Sequence, residues 1–380
     1  MIIHLLAPLV IGLKTTGLQF GYFFGLLFFF IFLIRGIRED RTSDILLGWI
    51  MFFMAMLLQD YTFGFAGINF LWEQMDGWPR HFPWIFPASV YFYFLAQTNV
   101  NFKFKMGDVI HLIPYLMYLL GSLSLYLYDL TPRTGLYSVG SYGEVWHIFL
   151  HVINYGGIFF YFIKSLKIYK NYKIWAQNEY SNIYELELLW LRNFLIFFLT
   201  GAILHLINTI IDIIYDLPFD QDYYWQLFIV ITIIYLGISG MTQKQEKNLT
   251  FTEAAIQTTN EHLILQTKTA SQEELEFKDR LDSFMKTRKP YLNPDLTLKN
   301  LASQMNTNTT FLSAVINNGF EKNFNDFINE SRVNEFQSAK QNPENRNLTL
   351  IAIAYDCGFN SKATFNRAIK KFTGKMPSEL

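Results

Sequence analysis

Residues 348–380, LTLIAIAYDCGFNSKATFNRAIKKFTGKMPSEL, decide the fold of the C-terminal part of the chain. Thr349 can cap a short helix whose inward positions include Ile353 and Ala354. Gly358 is placed to end that helix in a left-handed conformation, and Ser361 can cap a second helix. The second helix is predicted to point four side chains inward, those of Phe365, Ala368, Ile369 and Phe372. This pattern predicts a helix-turn-helix.

The same pattern occurs once more upstream, in residues 296–318, LTLKNLASQMNTNTTFLSAVINN. Thr297 and Asn308 are the predicted helix caps. The predicted inward side chains are Leu298, Leu301, Ala302, Met305, Phe311, Leu312, Val315 and Ile316. An amphipathic stretch at 323–340 then reads as a connecting helix, so the sequence predicts two helix-turn-helix units joined by one helix.

These residues carry a family resemblance. Residues 348–380 resemble the C-terminal signature of AraC/XylS-type transcription regulators, in the small Ala, the Gly-Phe turn, the basic pair, the Thr-Gly and the Pro-Ser-Glu. Residues 309–333 resemble the first recognition helix of that family and the start of its linker helix. The resemblance covers about 274–380. It implies an all-α domain whose partner is double-stranded DNA, with RNA polymerase and a second copy of the chain (a homodimer) as further partners, and no cofactor or metal.

In a helix-turn-helix, the outward residues near the start of the second helix face base edges in the major groove. The candidate DNA-binding residues are therefore Thr310, Ser313, Ala314 and Asn317 in the first unit, and Lys362, Ala363, Asn366, Arg367, Lys370 and Lys371 in the second. Arg367 can fork onto guanine and Asn366 can bond adenine, whereas the first unit offers hydroxyls and methyls. We therefore expect the second unit to carry more of the sequence selectivity.

The rest of the chain is far more apolar. Of its 380 residues 51% are hydrophobic and 18% aromatic, with a net charge of -1, which indicates a membrane component. Seven segments are predicted to span a bilayer: 18–34, 44–58, 82–96, 109–128, 145–163, 188–214 and 225–241. The third is the weakest of these predictions, because it is short and carries Pro83 and Pro87. The opening stretch MIIHLLAPLVIGL is predicted to be an interfacial lead-in rather than a cleaved signal.

Loop charge predicts the orientation of these segments, because short cytoplasmic loops collect Lys and Arg. With the N-terminus outside, eleven basic residues fall on the inner side: Arg35, Arg38, Arg41, Lys103, Lys105, Lys164, Lys167, Lys170, Lys173, Lys244 and Lys247. Only Lys14, Arg80 and Arg133 fall outside. The prediction is thus a multi-pass protein of the bacterial cytoplasmic (inner) membrane, with its C-terminal domain in the cytoplasm.

Three domains follow from this division. Residues 1–241 are predicted to form a transmembrane sensor domain, 242–273 a juxtamembrane linker and 274–380 the AraC-type DNA-binding domain. The linker composition fits either a loose tether or a helical stalk. As a random coil its roughly 30 residues reach about 30 Å, so the promoter must come close to the membrane.

The membrane part offers one candidate site for a small-molecule or membrane signal. His147 and His151 lie one helical turn apart in the fifth segment, and His205 lies in the sixth. Ordinary packing of these histidines is the competing interpretation. A retinal-type pigment is excluded, because the seventh segment contains no lysine for a Schiff base.

Two other functions compete with regulation. Catalytic motifs such as HExxH, GxSxG and a phosphate-binding glycine loop are missing from the sequence, which disfavours an enzyme. A membrane receptor or transport-like protein whose helix-turn-helix tail docks a protein partner is the main alternative. A membrane-embedded metal-dependent hydrolase using the histidines is the third.

Cys357 is the single cysteine, so an intrachain disulfide is impossible.

Overall fold

The computed structural model describes residues 12–68, 78–82, 84–129, 140–183, 189–215, 223–242, 251 and 272–379. Within these ranges the regular secondary structure is helical and no β-strand occurs, which confirms the predicted all-α fold class. The α-helices, in chain order, are α1 (Leu13–Arg38), α2 (Thr42–Phe65), α3 (Ile85–Thr98), α4 (Ile113–Asp129), α5 (Gly140–Glu179), α6 (Leu189–Tyr215), α7 (Tyr223–Thr242), α8 (Gln272–Arg288), α9 (Leu298–Gln304), α10 (Thr309–Ala314), α11 (Phe324–Gln341), α12 (Leu350–Asp356) and α13 (Lys362–Thr373).

The chain divides into two compact units. The N-terminal unit comprises Met1–Tyr169 and Leu189–Thr250, and the C-terminal unit comprises Lys170–Leu188 and Phe251–Leu380. The last ten residues of α5 and the stretch after them, which the sequence places in the sensor domain, therefore group with the C-terminal unit. Part of the reason is a backbone hydrogen bond, in which the Ser181 N–H donates to the Leu296 carbonyl at 3.2 Å.

In the N-terminal unit, α1 packs closely against α2 and α7 through glycines. A Cβ added to Gly25 on α1 would lie 2.8 Å from the Cβ of Ala55 on α2. A Cβ added to Gly237 on α7 would lie 2.1 Å from the Phe28 ring. Small residues at such crossings let helix backbones approach, which is the usual packing of helices in lipid, where no hydrophobic driving force acts between them.

An ion pair joins the ends of the same three helices. Arg35, near the end of α1, donates from Nε to Asp44 on α2 at 2.7 Å and from Nη2 to the Gly240 carbonyl on α7 at 2.8 Å. Asp44 is buried, so the guanidinium supplies the partner that a buried carboxylate needs.

Among the residues that the structure describes, five stretches of helix are long and apolar enough to cross a membrane: Thr15–Arg38, Thr42–Phe65, Met106–Ser124, Trp190–Ile211 and Tyr223–Thr242. Each overlaps one of the seven predicted segments. Large apolar side chains on α1 are also exposed, including Phe23 at 65%, Phe30 at 55% and Ile34 at 55%. An apolar surface of this kind suits contact with lipid rather than water.

The other two predicted segments differ from expectation. The segment at 82–96 corresponds to α3, whose 14 residues reach only about 21 Å, less than the roughly 30 Å of a hydrocarbon core. Pro87 lies in its first turn, where proline is tolerated. The segment at 145–163 lies inside α5, a helix of 40 residues, and the side chains of its first part lie outside those the structure describes.

The C-terminal unit contains two apolar cores that share α11. The first is formed by α8, α9, α10 and the start of α11, around Leu281, Leu301 and Ile328, all fully buried. The second is formed by the end of α11 with α12 and α13, around Phe336 and Ile369. Helix α11 begins after Asn323, which caps it, and so matches the predicted connecting helix.

Candidate DNA-binding surface

The C-terminal unit contains both predicted helix-turn-helix units. HTH1 consists of α9, α10 and a π-helical turn at Val315–Gly319, and HTH2 consists of α12 and α13. All four predicted caps are confirmed, because each side chain accepts a hydrogen bond from the backbone N–H three residues on: Thr297, Asn308, Thr349 and Ser361. The predicted inward residues of both units are buried or partly buried.

The turns of HTH1 and HTH2 have the same pattern of backbone hydrogen bonds. The residue with the left-handed conformation differs between them. The left-handed position is Asn306 in HTH1, with φ +52°, and Gly358 in HTH2, with φ +91°. Asparagine tolerates such a conformation better than most residues. At Gly358 space is a second restriction, because an added Cβ would lie 2.3 Å from the Tyr291 carbonyl oxygen.

The recognition helix of HTH2 presents a basic face. Phe365, Ala368 and Ile369 of α13 are buried in the second core. The opposite side of the helix carries the predicted DNA-binding residues, of which Lys362, Arg367, Lys370 and Lys371 are exposed and Ala363 and Asn366 are partly buried. The structure therefore places all six at the surface of α13. Lys362 and Ala363 lie in its first turn, where base contacts are made, and Lys370 and Lys371 lie in its last turn.

The recognition helix of HTH1 is different, because three of its four predicted DNA-binding residues are not exposed at the surface. Thr310 is exposed as expected, but Ser313, Ala314 and Asn317 are only 3%, 9% and 9% exposed. Local structure explains this burial. The α-helix gives way to a π turn after Ala314, and the Asn317 amide donates to the Ser313 hydroxyl at 3.2 Å, so these polar groups satisfy each other instead of facing solvent.

Several basic residues of the C-terminal unit are engaged in ion pairs. Lys289 Nζ lies 2.7 Å from Glu335, and Lys371 Nζ lies 2.6 Å from Asp326. Lys322 pairs with Glu330 and Lys286 with Asp282. The side chain of Lys371 is still 58% exposed, so it can exchange this carboxylate for a phosphate.

Arg332 is a polar hub that sequence reasoning missed. Its guanidinium is 1% exposed and donates to the carbonyl oxygens of Tyr291 and Asn293, each at 2.8 Å. Burial lowers the pKa of Arg332 to about 10, and the charge of Asp295 partly opposes that shift, so the side chain remains cationic at neutral pH. Arg332 thus adds nothing to the DNA-facing charge. Its position on the inward face of an amphipathic helix was the available signal.

A partly buried carboxylate, that of Glu335, lies near Arg332, and both contact Tyr291. Burial alone would raise the pKa of the Glu335 carboxyl, but hydrogen bonds from Lys289 and Tyr291 hold it below its usual value. Burial, with the charges of Glu335 and Asp356, raises the pKa of the Cys357 thiol to about 12. Cys357 is therefore a structural thiol and unreactive in the folded protein.

The histidine cluster is only partly described. His147 and His151 lie on α5, with side chains outside the described part of the chain, so their grouping with His205 stays a prediction. The His205 Nδ1 atom lies 2.7 Å from the Tyr155 hydroxyl, which is also 2.9 Å from the Thr209 hydroxyl. Among the residues that the structure describes, no group of three potential metal ligands comes together.

Residues 301–380 match the family of the helix-turn-helix domain. No curated protein and no solved structure matches the chain. The matched residues make up about a fifth of the sequence and include α10, α11, α12 and α13. Together with the two capped helix-turn-helix units, this similarity identifies the C-terminal part as an AraC-type DNA-binding domain, of the kind found in regulators of transcription.

Proposed function

We propose that this chain is a membrane-held transcription regulator, in which a signal at the apolar helices changes sequence-specific DNA binding by HTH1 and HTH2. One observation carries the proposal. The exposed basic face of α13 belongs to an AraC-type domain that shares its chain with five helices apolar enough to cross a membrane. A freely diffusing regulator has no use for such helices.

In this proposal the two recognition helices do different work. Arg367 and Asn366 read base edges, while Lys362, Lys370 and Lys371 bind phosphates. Thr310 contributes a weaker contact from HTH1. The buried trio of Ser313, Ala314 and Asn317 contributes only when that face becomes uncovered.

The proposed topology puts the N-terminus outside and the AraC-type domain in the cytoplasm of a bacterium. The excess of Lys and Arg in alternate loops supports it. RNA polymerase and a second copy of the chain are proposed as further partners.

The signal is proposed to act within the lipid-facing unit. Polar contacts join Tyr155 on α5 to His205 and Thr209 on α6, a helix of otherwise mostly apolar residues. Polar groups at membrane depth are costly and tend to serve function, so this cluster is the first place to look for a bound small molecule. His147 and His151 remain candidates for the same site.

Selection from a random duplex library tests the proposal. Full-length protein in lipid nanodiscs would be incubated with 40-base-pair duplexes, and bound sequences would be amplified over several rounds. We expect one motif with two elements about 10 base pairs apart, one helical turn of DNA. We also expect affinity to fall steeply with salt, because lysines displace counterions from phosphates. An Arg367→Ala variant serves as the matched control and should relax the preference in one element.

The alternative function makes the opposite prediction. If the helix-turn-helix tail of a receptor or transport-like protein docks another protein, no sequence will be enriched and duplex binding will show no salt dependence. That result would replace the proposed function.

A further inference from the structure

A short segment after α5 is embedded in the AraC-type domain. Residues 180–182, which we call the docking segment, follow the last residue of α5 directly. Tyr180 forms an antiparallel β-bridge with Thr297, the cap of α9, and the Ser181 N–H donates to the Leu296 carbonyl at 3.2 Å. Ser181 is completely buried. The segment thus binds by its backbone, as an extended peptide binds a strand edge.

Helix α11 supplies a row of polar donors for the same segment. Asn325 donates to the Ser181 carbonyl at 2.7 Å, and Asn329, one turn further, donates to it at 3.4 Å. Arg332 Nη2 donates to the Ser181 hydroxyl at 3.2 Å. All three α11 side chains are buried. Buried polar groups need partners, so this row is built to receive a peptide carbonyl and hydroxyl rather than to fill an apolar core.

The docking segment also reaches the recognition helix of HTH2. The Thr364 hydroxyl donates to the Asn182 side-chain oxygen at 3.4 Å, within the first turn of α13. One segment of three residues therefore contacts three helices: α9 of HTH1, at its cap, the connecting helix α11, and α13 of HTH2. It lies where it can fix the arrangement of the two units against each other.

An aromatic cluster packs the end of α5 against Phe251 and against Tyr180 of the docking segment. The Tyr172 ring on α5 lies 5.7 Å from Phe251, and the Trp175 ring lies 5.5 Å from Phe251 and 5.6 Å from Tyr180. Phe251 is 5% exposed and follows α7 by nine residues. The end of α5 and the start of the linker are thus packed together next to the docking segment.

We propose that the docking segment is an intramolecular latch that holds the AraC-type domain at the end of α5 and restrains DNA binding until a signal moves α5. The inference rests on the proposed function. The restraint follows from the contacts of the latch with both units. It joins the Thr297 cap of HTH1 and the Thr364 hydroxyl in the recognition helix of HTH2 to one segment, and so fixes HTH1 and HTH2 in one arrangement. Binding by both units requires a rearrangement that the latch opposes.

The chemistry of the latch suits reversible release. Its contacts are mostly hydrogen bonds to backbone and hydroxyl groups, which water can replace once the segment leaves. Because the segment is tethered in the same chain, its high effective concentration allows weak contacts to hold it. Helix α5 is continuous up to the residue before the segment, so a shift of that helix acts on the latch directly.

Release of the latch is tested with Ser181→Trp in the full-length protein in nanodiscs. Ser181 has no exposed surface, so an indole there must expel the segment. We expect the variant to bind the duplex selected by the wild-type protein at least tenfold more tightly. Ser338→Trp, at an exposed position of α11 away from the residues that contact the docking segment, is the matched control and should bind like the wild type. Protection of Cys357 from alkylation checks that the domain stays folded.

Closure of the latch is tested with a disulfide. Tyr180 and Thr297 form a directly opposed antiparallel pair, a geometry in which Cα atoms lie within reach of a disulfide. In a Cys357→Ser background, the variant Tyr180→Cys with Thr297→Cys should crosslink and bind the duplex at least tenfold more weakly when oxidised than when reduced. Loss of the Thr297 cap is common to both redox states and cancels. The single Tyr180→Cys variant should show no redox effect.

The outcomes separate the latch from the proposed function. Equal or weaker duplex binding by Ser181→Trp, or failure of the Cys pair to crosslink, would overturn the latch while leaving a DNA-binding regulator. Failure of the wild-type protein and of the released Ser181→Trp variant to select any duplex would overturn the proposed function and the restraint with it.

Discussion

HTH1 and HTH2 use the same framework with different reading surfaces. Both have a threonine cap, a left-handed turn residue and a capped second helix. HTH2 continues into a regular helix of 12 residues with a basic outer face, whereas the six-residue α10 of HTH1 ends in a π turn with a buried outer face. Caps and apolar spacing therefore specify the fold, and the residues that this pattern leaves free decide what each unit can bind.

The turn residues give the largest expected difference. Gly358→Ala should destabilise the C-terminal unit by about 3 kcal/mol, because a Cβ adds left-handed strain and meets the Tyr291 carbonyl at 2.3 Å. Asn306→Gly, at the matching position of HTH1, should change stability by less than about 0.5 kcal/mol. The measurement is alkylation of Cys357 as urea is raised, since the buried thiol reacts only after unfolding. Similar losses in both variants would contradict this account of the turns.

The second largest expected effect is a difference between the two recognition helices in their contribution to DNA discrimination. Arg367→Ala should cost about 1–3 kcal/mol of discrimination for the selected duplex, or roughly 5- to 140-fold, because a forked contact to guanine is lost. Thr310→Ala should cost less than about 1 kcal/mol, since one hydroxyl makes a weaker contact. Competition binding with the full-length protein measures both. Equal losses would remove the inferred dominance of HTH2. Ser313→Ala now reports on packing, because that hydroxyl is buried against Asn317.

The contribution of Glu335 to the stability of the C-terminal unit should depend on pH. This carboxylate on α11 accepts hydrogen bonds from Lys289 and Tyr291. The pKa of Glu335 is lowered in the folded protein, so its contribution to stability is present above the pKa of the unfolded chain and is lost as pH falls through the folded value. Glu335→Gln should therefore be less stable than the wild type at pH 7, and the difference should shrink on acidification. Urea titrations of the full-length protein at pH 7 and at lower pH, followed by hydrogen exchange of the backbone amides of α11, test this. A difference that grows toward low pH would contradict it.

The smallest expected effect concerns the ion pair that links α11 with α13. Asp326→Asn should change stability by less than about 1 kcal/mol, because Lys371 is largely exposed. Duplex affinity should rise slightly and its salt slope steepen by about one, because Lys371 becomes available to a phosphate. Asp282→Asn, which breaks the pair with Lys286 on α8, is the control and should leave the slope unchanged. Identical slopes in all three proteins would show that Lys371 does not contact DNA.

The sequence allowed prediction of what local rules determine. Thr297, Asn308, Thr349 and Ser361 cap the helices as expected, and Gly358 has the predicted positive φ, because caps and turns depend on residues a few positions apart. The burial of the HTH1 reading face and the role of Arg332 were not predicted. The contact of Arg332 with Ser181 joins residues 151 positions apart, and periodicity contains no information on such pairs.

Occupancy of DNA across the genome by the intact protein tests the central claim most directly. Cells would be crosslinked, the membrane fraction isolated, and the DNA bound to the full-length protein sequenced, with Arg367→Ala as the control. A membrane-held regulator predicts discrete promoter sites that are recovered with the membrane fraction and that are lost or shifted in the variant. Recovery of no specific DNA, or of the same sites with the variant, would contradict the claim.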